Sequence, residues 1–197
     1  TPEGLLLGTR QGLWLFHDGA FARRFADAPF AELTVNGLMQ DSSGALWLGT
    51  GDGLYQQKGR GWNRFGVGLG LPDDNIYFIH EVQPGRMAIG HGKGVTLMER
   101  GGTFHLSRNL GLISDETNQG GALTDSRGRL WIGMIGGVNI LDRANDFSLK
   151  DALRPLVTEA RWDGGSSPFP ARLEIPPRPR SLDLEFEVAS PLVSGTP

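Results

Sequence analysis

Residues 33–55 read LTVNGLMQDSSGALWLGTGDGLY, and the reading of this stretch decides the fold. Two apolar runs, Leu33 to Met39 and Leu46 to Leu48, flank Asp41-Ser42-Ser43-Gly44. Asp-x-x-Gly in that setting is a hairpin turn, because Asp hydrogen-bonds the turn backbone and Gly accepts positive φ. Thr50-Gly51-Asp52-Gly53 closes a second hairpin, and Leu54-Tyr55-Gln56 begins a third strand. Trp62-Asn63-Arg64-Phe65 supplies a short fourth strand at the rim.

The unit recurs. Leu5-Leu6-Leu7-Gly8, Leu46-Trp47-Leu48-Gly49, Met87-Ala88-Ile89-Gly90 and Leu130-Trp131-Ile132-Gly133 share one frame, with leading glycines 41, 41 and 43 residues apart. In every copy a second glycine follows four residues later, and an apolar residue follows it. Gln83-Pro84-Gly85 and Asp125-Ser126-Arg127-Gly128 stand where Asp41 to Gly44 stands. Apolar stretches also precede these turns at Asn75 to Val82 and Thr117 to Leu123. Four short strands per period of roughly 40–45 residues is a propeller blade. Helical repeats of similar period need a 3.6-residue pattern and few glycines, and neither holds. Trp47 and Trp131, replaced by Leu6 and Ala88 in the other copies, are read as packing between blades.

Composition agrees. The chain has 197 residues, a net charge of -3, 39% hydrophobic and 21% charged residues. That is neither a disordered nor a membrane composition, and no apolar run approaches the roughly 20 residues that span a bilayer. No basic patch suited to nucleic acid is present. Thirty glycines are about twice the usual ~7%, as many tight turns require. With no cysteine, disulfides and thiolate metal sites are excluded. The chain opens on Thr1-Pro2-Glu3-Gly4 and closes just after a strand-like run, so it reads as a piece of a longer protein.

The stretch 33–55 resembles the two-component regulator propeller repeat, whose pattern is an apolar strand, Asp-x-x-Gly-x-Leu-Trp-Ile-Gly-Thr, then Gly-Leu and an aromatic residue. Gly68-Leu69-Gly70-Leu71-Pro72 is similar to that family's link into the next blade, and residues 119–142 match well. Residues 76–98 depart, with Val82 for the turn Asp and Ala88 for the Trp. The tail looks like the opening strands of the Ig-like YYY domain that follows such propellers. Its run Ser181-Leu182-Asp183-Leu184-Glu185-Phe186-Glu187-Val188 alternates as a half-buried strand does. The expected division is residues 1–150 as blades and 151–197 as a truncated Ig-like domain. The resemblance implies a periplasmic sensor region of an inner-membrane histidine kinase or diguanylate cyclase. Such a region binds a small molecule, often a carbohydrate, and carries no catalysis itself.

Catalytic signatures are absent from the sequence. It has no Gly-x-Ser-x-Gly elbow, and no second His follows His80-Glu81 in zinc-ligand spacing. Gly90-His91-Gly92-Lys93-Gly94 lacks the Gly-Lys-Ser/Thr ending of a phosphate loop and is read as a β-turn. The four histidines, His17, His80, His91 and His105, are far apart in sequence; no metal and no cofactor is expected. Asp73-Asp74 is read as a solvated turn.

A ligand of a propeller sits at the channel mouth, built by the loops entering inner strands and by the hairpins between second and third strands. These loops hold Arg10, Gln11, Asn36, Asp52, Asn75, His91, Lys93 and Asn118. Their amides, charges and imidazole could hydrogen-bond sugar hydroxyls. His91 stands where the other copies have Thr9 and Thr50. The other readings are a carbohydrate-active propeller enzyme, lyase or lactonase-like hydrolase, and a protein-interaction scaffold. The first repeat begins at its second strand. Either open blade edges pair in a homodimer, or the strand at 181–188 fills the gap.

Overall fold

The protein is described here from a computed structural model covering residues 4–100, 102–142, 155–162, 165–168 and 181–188. The chain divides into two compact units, Thr1–Phe147 and Ser148–Pro197. The first is an all-β arc of four antiparallel sheets in chain order, a propeller fragment. Blade 1 holds β1 (Leu5–Thr9), β2 (Gly12–His17) and β3 (Ala20–Arg24). Blade 2 holds β4 (Val35–Gln40), β5 (Leu46–Thr50), β6 (Gly53–Lys58) and β7 (Gly61–Phe65). Blade 3 holds β8 (Ile76–Gln83), β9 (Arg86–His91), β10 (Gly94–Glu99) and β11 (Gly102–Leu106). Blade 4 holds β12 (Thr117–Thr124), β13 (Leu130–Met134) and β14 (Gly137–Leu141). Two of the four blades thus show four strands and two show three among the described residues. Blade 1 begins at the strand equivalent to β5, as its register in the repeat requires.

The second unit contains β15 (Pro155–Trp162), β16 (Gly165–Pro168) and β17 (Leu182–Val188) in one sheet of order β16-β15-β17. The expectation that residues 181–188 fill blade 1 is corrected. β17 pairs antiparallel with β15, from Trp162↔Leu182 to Pro155↔Val188. The run Leu173 to Pro177 lies outside the described residues.

Two of the four leading glycines, Gly8 and Gly49, have a steric cause that lies in the next blade. A Cβ built on Gly8 would lie 2.8 Å from Val35 Cγ1, and one on Gly49 would lie 2.6 Å from Ile76 Cγ2. Val35 and Ile76 begin the inner strands of the following blades. Each glycine is therefore a seat for the next blade. Around these seats two cores form. Leu13, Phe30, Val35, Leu48 and Tyr55 pack between blades 1 and 2. Trp47, Leu54, Ile76, Met87 and Ile89 pack between blades 2 and 3. Trp47 is thus a blade-packing residue, stacked on Phe65 at 6.0 Å.

The Asp of the turn acts through its carboxylate. Asp41 Oδ1 accepts from the backbone N–H groups of Ser43 and Ala45, and Oδ2 accepts from the Trp47 indole at 2.7 Å. Asp125 does the same with Arg127, Arg129 and Trp131. One side chain thereby ties the turn to the strand beyond it. In blade 3, where Val82 replaces the Asp, Glu81 takes over. Its Oε1 accepts from Gly85 N and from Ser42 Oγ, and its Oε2 accepts from Ser42 N of blade 2. The substitution thus converts an internal turn clamp into a bond between blades.

The seats give a stability prediction. Gly49→Ala must displace Ile76 and is expected to lose about 1–3 kcal/mol, as overpacking does. At Gly133 the nearest atom to a built Cβ is Gly121 Cα at 3.6 Å, so Gly133→Ala is expected within about 0.5 kcal/mol of the parent. Urea unfolding measures both; equal losses would contradict the seat.

Candidate functional site

The polar end of the arc is built from the hairpins β1–β2, β5–β6 and β9–β10 and the starts of β4, β8 and β12. Each inner strand is irregular at its start. Register shifts leave Asn36 between Val35 and Gly37, and Tyr77 between Ile76 and Phe78. On β12 the shift is larger and spans Asn118 to Gly121. Such bulges re-aim side chains out of the ladder. Asn36, Tyr77 and Asn118 are therefore one structural position on three blades.

The bulged residues are linked across blades. Asn36 Nδ2 donates to Ile76 O at 3.1 Å, and Gln119 Nε2 donates to Asn36 Oδ1 at 3.1 Å. This contact joins the inner strand of blade 4 to that of blade 2. Asn118 Nδ2 reaches Met134 O at 3.4 Å. Asn75 Nδ2 donates to the Tyr77 hydroxyl at 3.0 Å. Burial, with help from the Glu116 and Asp73 carboxylates, raises the Tyr77 phenol above its ordinary value. The hydroxyl consequently stays protonated and keeps its own hydrogen to donate. Glu116, Asn118 and Gln119 are exposed.

The hairpin residues split into two groups. His91 is fully buried. Its Nδ1 accepts from Lys93 N at 3.2 Å, and its Nε2 lies 2.9 Å from Thr96 Oγ1. Thr9 accepts from Gln11 N, and Thr50 from Asp52 N, at 3.0 Å each. His91 thus performs the same turn cap as those threonines, and the substitution noted in the repeat is accounted for by the hairpin. Burial foremost, then the neighbouring His105, lowers His91 to about 4. The neutral ring with its proton on Nε2 satisfies both contacts. The two histidine rings stack at 5.3 Å despite their separation in sequence.

Asp52 is committed to structure. Tyr55 donates to it at 2.8 Å, and Arg64 Nη2 bridges Asp52 at 3.1 Å and Asp74 at 3.2 Å. The Tyr55 bond is the largest cause of the lowered Asp52 carboxyl, with Arg64 adding to it. Tyr55 itself is pushed up to about 12, by burial first and then by the Asp52 bond. Lys93 Nζ donates to Pro72 O at 2.9 Å, and Asp73 Oδ1 accepts from Asn75 N at 3.2 Å. Arg10 is exposed at the β1–β2 hairpin.

Of the residues singled out in the sequence, Asn36, Asn75 and Asn118 come together with the inner-strand starts. Asp52 and His91 serve their own hairpins. Tyr77, Gln119 and Glu116 were missed. The signal available for Tyr77 was its alignment with Asn36, both 13 residues before a leading glycine. Among the described residues no group of three or more His, Cys, Asp or Glu side chains could hold a metal ion. No helix of the described residues is long and apolar enough to cross a membrane.

No family model matches the sequence, and no curated protein matches it. Solved structures do. The extracellular domain of the putative hybrid two component system BT3049 from B. thetaiotaomicron matches 88% of this chain and 25% of its own, with TM-score 0.60 and 19% identity. The extracellular domain of the putative one component system BT4673 from B. thetaiotaomicron matches 87% of this chain and 30% of its own, with TM-score 0.60 and 14% identity. A further BT4673 structure from that organism, described as a putative hybrid two component system, matches 77% and 21% at TM-score 0.52 and 20% identity. This chain spans between a fifth and a third of the solved chains it resembles. At these identities the likeness is one of fold.

The buried His91 predicts a pH response. Its folded value near 4 lies below the ordinary 6.5. The unfolded chain therefore takes up a proton as pH falls through 6.5, and the folded chain does not. Stability should be complete above about 6.5 and decline toward 4, by up to about 1.4 kcal/mol per pH unit for this one group. His80 and His105, lowered chiefly by burial, add in the same direction. His91→Thr restores the cap of the other repeats and should remove one proton's share of that slope. Urea unfolding between pH 7.5 and 4.5 checks this; an unchanged slope would contradict the assignment.

Proposed function

We propose that this chain is the ligand-sensing, extracytoplasmic part of a transmembrane signalling receptor of two-component type, without catalysis in this piece. The observation that carries the reading is the repeated inner-strand bulge. It places Asn36, Tyr77 and Asn118 at one end of the arc, with Asn75 and Gln119 beside them. Amides and a protonated phenol form a neutral donor and acceptor surface, the kind that hydrogen-bonds the hydroxyls of an oligosaccharide. The fold likeness to extracellular domains of putative two component and one component systems supports the cellular setting. In this reading residues 1–150 recognise the ligand and residues 151–197 begin an Ig-like domain of the YYY kind. The membrane-spanning and output parts belong to the rest of the parent protein.

Calorimetric titration with a panel of neutral oligosaccharides tests it. Tyr77→Phe and Asn118→Ala should each weaken binding about 5-fold or more, since a good hydrogen bond is worth about 1 kcal/mol. Each substitution also gives up one internal hydrogen bond, Asn75 Nδ2 to the Tyr77 hydroxyl or Asn118 Nδ2 to Met134 O, so the melting temperature is followed alongside and should drop only slightly. Binding indifferent to both substitutions would sink the site. Release of shortened or unsaturated products would favour a polysaccharide lyase or hydrolase instead.

A further inference from the structure

The two hairpins on either side of Asn75 and Tyr77 carry no side chain at their first loop position. That position is Arg10 in the β1–β2 hairpin, Gly51 in β5–β6, Gly92 in β9–β10 and Ile135 in β13–β14. Neither Gly51 nor Gly92 has a positive φ. The backbone there would accept a side chain, as it does in blades 1 and 4. What the two glycines make room for lies beside them. A Cβ built on Gly51 would find Asn75 Oδ1 at 4.0 Å. One built on Gly92 would lie 2.9 Å from Asp73 Oδ2 and 3.8 Å from the Tyr77 hydroxyl. Gly92 thus lets the Asp73 carboxylate stand over the hairpin, next to the phenol.

These groups offer a definite set of donors and acceptors. Asp73 Oδ1 accepts from Asn75 N, and among the described residues none donates to Oδ2. The Tyr77 hydroxyl accepts from Asn75 Nδ2 and keeps its own hydrogen. An ionised carboxylate only accepts, whereas this phenol can donate. Together they match a ligand group that donates to Asp73 beside an oxygen that accepts from Tyr77. A second carboxylate is brought in by the backbone. Thr117 Oγ1 donates to His91 O at 3.3 Å, and His91 is the register partner of Ile76, the residue before Tyr77. Glu116, which precedes Thr117, is therefore delivered to the same place. Its charge and that of Asp73 act on the phenol, behind burial, to raise it.

Two cations at this end are already engaged. Arg64 divides between Asp52 and Asp74, and Lys93 Nζ donates to Pro72 O. Arg10 stands two blades away, on the β1–β2 hairpin. We propose, resting on the ligand-sensing reading above, that Asp73 and Glu116 set the ligand class. The subsite at Tyr77 and Gly92 prefers a saccharide unit bearing a free amine to a neutral one, and a neutral one to a unit bearing a carboxylate. An ammonium donates to Asp73 Oδ2 in a charge-assisted bond, stronger than the bond a hydroxyl makes. A uronic acid at the same place sets a third carboxylate against Asp73 and Glu116. Discrimination of this kind uses repulsion as well as attraction.

Calorimetric titration at neutral pH tests this with matched probes. Each neutral oligosaccharide of the panel is compared with its amino-sugar counterpart and with its uronic counterpart, the primary hydroxymethyl groups oxidised to carboxylates. The amino form should bind about 5-fold more tightly than the neutral parent. The uronic form should bind about 10-fold more weakly or worse. In the double variant Asp73→Asn, Glu116→Gln, which keeps side-chain shape, the three forms should converge to within about 3-fold. Near-ultraviolet circular dichroism checks that the variant is folded, and Asp73→Asn alone, which keeps Oδ1 for Asn75 N, should narrow the spread by itself. Any other order of affinities would overturn the proposal while leaving the sensing reading intact. So would a spread that survives the double variant, since the selection would then be one of shape. Binding of none of the three forms would overturn the sensing reading, and this proposal with it.

Discussion

The arc depends on a missing atom. Where the second strand of a blade lacks a Cβ, the inner strand of the next blade comes close enough to place a β-branched side chain against backbone. Val35 on Gly8 and Ile76 on Gly49 are two copies of this contact. A methyl group at either glycine would have to push a whole inner strand outward, since Val35 and Ile76 sit on paired strands rather than on a flexible tip. The apolar cores between blades, with Leu48, Tyr55, Trp47 and Met87, assemble around these approaches.

The hydrogen bonds serve the same geometry. Asp41 and Asp125 each bind turn amides and the indole of a tryptophan. The turn, the strand and the packing ring are therefore positioned together. Asp125 is held well below the usual carboxylate range, with the Trp131 bond as its largest cause. At Asp41 burial opposes ionisation, and the bonds from Ser43, Trp47 and Ala45 outweigh it. Blade 3 abandons this device at Val82 and acquires the Glu81 link to blade 2.

The blades were legible in the sequence because leading glycines and hairpin turns recur with nearly fixed spacing. The packing role of Trp47 was legible for the same reason. The bulges were not, because a register shift of one residue leaves no mark on an apolar run, and Tyr77 reads as an ordinary strand residue. His91 shows the opposite failure. It breaks the repeat in residue type but preserves the repeat's hydrogen bond to the backbone two residues on. Only the ring's position tells a cap from a ligand contact. The course of residues 181–188 also escaped a reading by alternation, since a half-buried strand carries no record of which sheet it joins; here it joins β15.

What the fold offers to function is a set of inner strands whose first residues, Val35 and Ile76, are held on the seats and whose next residues, Asn36 and Tyr77, bulge out of the ladder. The proposed sensing role would draw on both, a polar end carried on a packed frame. The frame is the central claim, and a double-mutant cycle between positions 49 and 76 tests it most directly. If the Gly49 seat exists for Ile76, the loss caused by Gly49→Ala should shrink by about 0.5–3 kcal/mol in an Ile76→Ala background, as coupling between touching residues does. Losses that simply add would show that the glycine is not there for the inner strand of the next blade.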